Sequence, residues 1–164
     1  MGGRITKAEQ QLRPDPRYGD KVLSRFINCI MSDGKKAVAQ RVVYDALDVI
    51  GTKLEKETAE DKPAGPIEIF RMALDTVMPF VEVRSKRIGG ANYQVPMQVN
   101  KTRQQSLAFR WIIDSCRAEK GRPMHQRLAD ELYNAAKGEG KAMQTREQTH
   151  RMAEANRAFA HFAN

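Results

Sequence analysis

The sequence predicts a mainly α single domain of about six helices, with a protruding two-stranded β-hairpin between the third and fourth helices and an extended basic N-terminal arm. Three observations predict it. Apolar residues recur at helical spacing in segment after segment, Gly or Pro punctuates those segments, and one stretch, VRSKRIGGANYQVPMQV at 83–99, alternates as two extended runs about a Gly-Gly pair. A chain of 164 residues can bury one core of ordinary size, here assigned to residues 20–164 with residues 1–19 as the arm.

The elements follow in order. Residues 1–19 hold Arg4, Lys7, Arg13 and Arg17 among few apolar residues, and Pro14 and Pro16 oppose a helix there. Asp20 is a natural N-cap for a first helix whose Val22, Leu23, Phe26, Ile27, Ile30 and Met31 form one stripe, with Gly34 as its stop. A second helix runs from Lys35 to about Leu54, with Val38, Val42, Ala46, Leu47 and Ile50 turned toward the first. The charged stretch at 55–65, closed by Pro63 and Gly65, is an exposed loop. Pro66 opens a third helix carrying Ile67, Phe70, Leu74 and Val77, and Pro79 ends it.

The hairpin occupies about 80–99. With a three-residue loop at 89–91, Val81 stands opposite Val99 and Val83 opposite Met97, and Arg84 and Lys86 fall on the other face near Pro96 and Gln94. Eight residues per strand reach roughly 25 Å, more than a core needs. Asn100 caps a fourth helix in which Ala108, Trp111, Ile112 and Ser115 face inward while Arg103, Arg110 and Arg117 step along one outward stripe. A fifth helix spans about 124–137 with Leu128, Leu132 and Ala135 inside. A last one, from Thr145, carries only Met152, Phe159 and Phe162 as large apolar residues and belongs on the surface.

The charge narrows the function. Lys and Arg total 28 against 20 Asp and Glu, a net charge of +8, which favours a polyanionic partner. No apolar run approaches the roughly 18 residues of a membrane span, and residues 1–12, MGGRITKAEQQL, have no apolar h-region of the kind a secretory signal carries. Cys29 and Cys116 are single residues within helical patterns, far from zinc-ligand spacing, and are expected in the core. No cofactor or small-molecule substrate is implied. SDGKKA at 32–37 lacks the first glycine and the hydroxyl residue of a phosphate loop, and His125, His150 and His161 form neither a metal motif nor a triad. An enzyme on this scaffold has no acid, base and nucleophile set to recommend it.

Three basic elements remain: the arm, the hairpin and the Arg103, Arg110, Arg117 stripe. In the hairpin Arg84, Lys86 and Arg87 stand beside Gly89 and Gly90, which permit close backbone approach, and beside Tyr93 and Gln94, which can stack on or hydrogen-bond to a base. Lys35 and Lys36 oppose the dipole of the second helix, a cost that phosphate binding offsets. Each feature also has an ordinary reading, as an aggregation-blocking edge or a solvated helix face. A helical DNA-binding regulator shares these electrostatics, although a helix-turn-helix reads its groove with one helix and segregated basic elements suit folded RNA better.

The stretches at 15–36 (DPRYGDKVLSRFINCIMSDGKK), 81–99 (VEVRSKRIGGANYQVPMQV) with 103–111 (RQQSLAFRW), and 150–162 (HRMAEANRAFAHF) together closely resemble bacterial small-subunit ribosomal protein seven, over nearly the whole chain. The resemblance implies a six-helix domain with a protruding hairpin. It implies a non-enzymatic, cytoplasmic component of the ribosome that binds the 3′ major domain of 16S rRNA and nucleates assembly of the 30S head. The hairpin would lie at the subunit interface near the decoding centre, the E-site tRNA and the mRNA exit path. Protein neighbours would be small-subunit proteins nine, eleven, thirteen and nineteen. The RNA contacts it implies are Arg13, Arg17 and Lys21; Lys35 and Lys36; Arg84, Lys86, Arg87, Gly89, Gly90, Tyr93 and Gln94; Arg103 and Arg110; and Arg151 and Arg157. Members often begin with a denser Arg cluster than Arg4 and Lys7 provide, and the 55–65 loop is longer than the family pattern.

Overall fold

The computed structural model describes residues 11–56 and 63–163. Arg4, Lys7 and most of the charged 55–65 loop lie outside the described residues. Among the described residues, six complete α-helices and one hairpin follow in the expected order: α1 Lys21–Ile30, α2 Lys36–Lys56, α3 Pro66–Val77, β1 Val81–Ile88, β2 Ala91–Gln98, α4 Lys101–Ala118, α5 Met124–Ala136 and α6 Lys141–Ala155, then a 3-10 segment, Arg157–Ala163.

The caps are where the sequence places them. Asp20 accepts from the Val22 and Leu23 amides at 2.6 and 3.0 Å, Asn100 from the Arg103 amide at 2.9 Å, and Pro66 opens α3. Other boundaries move. The first helix stops at Ile30, where Met31 leaves helical backbone (φ −56°, ψ 133°), and Asp33 and Gly34, both left-handed (φ 54° and 72°), form the turn into α2. The last helix starts at Lys141, four residues before Thr145. There the buried Glu131 carboxylate accepts the Ala142 amide at 2.7 Å and serves as a cap borrowed from α5.

All six helices contribute to one core. At its centre Phe26 of α1 packs against Phe70 of α3 and Phe109 of α4, ring centroids 5.2 Å away in each case, while Leu128 and Leu132 of α5 are fully buried beside them. The inward stripe of α2 runs through Ala39 and Val43 rather than Val38, which is 54% exposed. On α4, Trp111 and Ser115 are only half-buried, and Leu107, Phe109, Ile113 and Cys116 complete the buried face. Burial pushes the Cys116 thiol up to about 12. Cys29 is exposed, not a core residue, because the inward stripe of α1 passes through Phe26, Ile27 and Ile30.

The hairpin turns on two residues, not three. Gly89 and Gly90 have φ of 58° and 88°, the backbone of a two-residue turn whose twist matches the flanking strands. The register is therefore one residue from the expected one: Val81 faces Gln98, Val83 faces Pro96, Arg84 faces Val95 and Lys86 faces Tyr93. A slip of one changes the face of every side chain on the second strand. Glu82, Arg84 and Lys86 consequently share a face with Met97, Val95 and Tyr93, while Ser85, Arg87, Asn92 and Gln94 are exposed on the other.

Candidate nucleic-acid interface

The arm is fastened to the body by carboxylates in the segment DPRYGD. Asp15, buried, accepts from the Arg17 and Tyr18 amides at 3.0 Å each and from the Tyr44 hydroxyl on α2 at 2.7 Å. Arg17 lies near the Tyr18 and Tyr44 rings, 5.2 and 5.3 Å from their centroids, and pairs with Asp48 through both terminal nitrogens. The Asp48 hydrogen bond holds its guanidinium pKa above the ordinary value. Asp20 is secured from the far side by Arg71 at 2.5 Å. Burial alone would raise its pKa, but the Arg71 hydrogen bond and the two cap amides outweigh that and leave it lowered.

Beyond this anchor a cationic seam runs between α1 and α4. Lys21 and Arg25 line a recess with Gln105, and Arg25 donates to the Gln105 side chain at 3.1 Å. The next recess is walled by Cys29, Ser106, Arg110 and Arg117, with Asp114 between the two arginines. Arg117 also borders a third, where Lys35 stands 3.8 Å from Asp33. Arg117 donates to the Ile30 carbonyl at 3.2 Å, satisfying a terminal acceptor of α1. Positions 103, 110 and 117 thus form the expected stripe, and α1 adds Lys21 and Arg25 alongside it.

At the other end of the stripe the hairpin is clamped. Glu82, 7% exposed, accepts Arg84 Nε at 2.6 Å and the Arg103 Nε and Nη2 at 3.1 and 3.0 Å, joining β1 to the first turn of α4. A buried carboxylate with two guanidinium partners is satisfied, and both arginines are committed to it. Further out, Tyr93 packs on Phe159 and Phe162, and Lys86 donates to the Phe162 carbonyl at 2.7 Å. The turn itself is exposed at Gly89, Gly90 and Ala91, with Arg87 beside it.

The expected site residues therefore divide by electrostatics. Arg17, Arg84 and Arg103 are held by carboxylates, Lys35 and Arg151 are each loosely paired at 3.8 and 3.9 Å, and Arg117 and Lys86 donate to backbone carbonyls. Arg13, Lys21, Lys36, Arg87, Arg110 and Arg157 are exposed and have no carboxylate partner among the described residues. Among the described residues no group of His, Cys, Asp or Glu could hold a metal ion, and no helix is long and apolar enough to cross a membrane.

Against this geometry the comparison with known proteins is decisive. The family model for ribosomal protein S7p/S5e matches residues 3–157. The chain belongs to that family. The small ribosomal subunit protein uS7 of Rhodopirellula baltica is 59% identical over 98% of this chain and 99% of that protein. The uS7 proteins of Methylobacterium radiotolerans and Thermotoga neapolitana are each 49% identical, over 99% and 97% of this chain and 99% and 98% of their own lengths. As an S7p/S5e protein the chain is a structural constituent of the small ribosomal subunit, not an enzyme, and its place is the ribosome.

The sequence displays the cations but not what holds them: Glu82, Asp15 and Asp48 carry no local signal of their pairing, whereas Arg25 is legible from its spacing of four from Lys21, which puts it on the same side of α1.

Proposed function

We propose that this chain binds 16S rRNA directly, through its 3′ major domain, and nucleates assembly of the 30S head. In this reading the hairpin tip reaches the subunit interface near the E-site tRNA and the mRNA exit path. Small-subunit proteins nine, eleven, thirteen and nineteen are its protein neighbours. The observation that carries the reading is the division of cations. Those without carboxylates (Arg13, Lys21, Lys36, Arg87, Arg110 and Arg157) stand at separate points on the arm, the α1/α4 side, the hairpin and the C-terminal end. Folded RNA presents phosphates in several directions at once, and dispersed cations on a rigid body select for such a shape without reading a base sequence.

The carboxylate-bound arginines have a different part. Arg17 fixes where the arm leaves the body, and Arg84 and Arg103 fix the angle at which the hairpin leaves α4. Affinity then comes from counterion release at the unpaired sites, and shape selection from the positions these pairs impose. Chemical footprinting of 16S rRNA with the purified chain tests this. Protection within the 3′ major domain, part of it lost when Arg84, Lys86 and Arg87 are changed to Ala with helicity intact, is the expected result. Uniform or absent protection refutes it.

A further inference from the structure

The 3-10 segment Arg157–Ala163 has no buried residue, is separated from α6 by the break at Asn156, and packs chiefly on β2, with lesser contacts to α6 and one hydrogen bond from β1. It begins where the S7p/S5e match ends, at residue 157. Its two phenylalanines are only half-buried, stacked at 14° with centroids 6.3 Å apart, and the ring they share is Tyr93 of the hairpin, at 5.2 and 5.5 Å. Lys86, the register partner of Tyr93, donates to the Phe162 carbonyl at 2.7 Å. One cross-strand pair, midway between the clamped base and the Gly-Gly turn, is thus gripped by both a ring cluster and a hydrogen bond.

We propose that residues 157–163 form an aromatic strut that holds the outer half of the hairpin in its RNA-binding pose, with Tyr93 as the residue it grips. The proposal rests on the RNA-binding reading above. An isolated two-stranded ribbon is marginal in water, and here α6 together with the buried Glu82 and Val95 secures its inner half. Without the strut, residues 84–93 have no aromatic contact to the body among the described residues, and Arg87 samples many positions. Ordering the ribbon before RNA arrives removes that entropy from the binding step, which raises affinity without adding a contact to RNA. Tyr93 is accordingly a positioning residue: its ring is occupied by Phe159 and Phe162.

The full-length variant F159A/F162A tests the strut. Because no residue of the segment is buried or belongs to the core cluster, the helical core should keep its circular dichroism and its melting temperature. Amide hydrogen exchange is expected to accelerate about tenfold in residues 84–93 and to stay unchanged in α1 to α5, in keeping with the loss of two aromatic contacts. Affinity for a 16S rRNA 3′ major domain fragment is expected to fall about three- to tenfold. The conservative variant F159Y/F162Y should restore both readouts. Unchanged exchange in the hairpin overturns the strut. Faster exchange with tighter RNA binding overturns it too, since the segment would then be a cover that RNA displaces. Failure of the wild-type chain to bind the RNA fragment would sink the RNA-binding reading itself, and with it the role assigned to the strut, whereas failure of the exchange prediction would sink the strut alone.

Discussion

Replacing Glu82 by Gln probes the joint between hairpin and body with almost no change in shape. The carboxylate is 7% exposed and accepts three N–H groups, one from Arg84 and two from Arg103. Hydrogen bonds to charged groups each contribute about 1.5–3 kcal/mol when buried. The arginine side chains, however, are 54% and 37% exposed, so solvent screens the pair and the low end applies. The amide oxygen of Gln still accepts one donor while its NH2 meets a guanidinium, so roughly half the interaction goes. The expected loss is about 1–2 kcal/mol, or about 2–8 °C in melting temperature for a chain of this size. Urea denaturation followed by helical circular dichroism measures it, and the cycle with Arg103→Ala isolates the pair. A loss below about 0.3 kcal/mol, or strict additivity of E82Q and R103A, would show that the hairpin base is not coupled to α4.

Three further variants probe the helix caps and turns. Asp20→Asn keeps the cap but removes the charge that Arg71 faces, and should cost about 1 kcal/mol at neutral pH. Because the folded pKa of Asp20 lies below its ordinary value of 3.8, that contribution is full above 3.8 and is lost as pH falls through the folded value; thermal melts of the two proteins should therefore converge in acid. Gly140→Ala places a Cβ 3.1 Å from the Glu131 carboxylate on a backbone with φ of 100°, and should cost about 1–3 kcal/mol. Gly34→Ala, with φ of 72° and open space around it, should cost less in the same denaturation assay.

The helices were legible because their signals are local. Asp20, Asn100 and Pro66 mark starts within a residue of where the chain folds, since a cap acts on amides two or three positions away. The hairpin was legible from Gly89 and Gly90, but its register was not: two- and three-residue loops fit the same letters, and only the positive φ at both glycines selects the shorter one. The start of α6 was hidden because its cap, Glu131, comes from another helix. Likewise the cations of the candidate interface are countable in the sequence while their partners are not. Arg17 meets Asp48 and Arg103 meets Glu82 across sequence separations of 31 and 21 residues, and Tyr93 meets Phe159 through folding alone. Charge is written in the composition, whereas its neutralisation is a property of the packed chain.

The central claim is that the carboxylate-free cations carry the attachment to RNA, and the salt dependence of affinity tests it most directly. If about six phosphates are engaged, log affinity for the 16S 3′ major domain should fall against log salt with a slope of roughly −4, using the single-strand coefficient. Changing Lys21, Arg87 and Arg110 together to Ala should flatten that slope by about 2, whereas Arg17→Ala should leave it within about 0.5 of the wild type. A slope that stays put in the triple variant, or flattens as much when Arg17 alone is removed, would contradict the account.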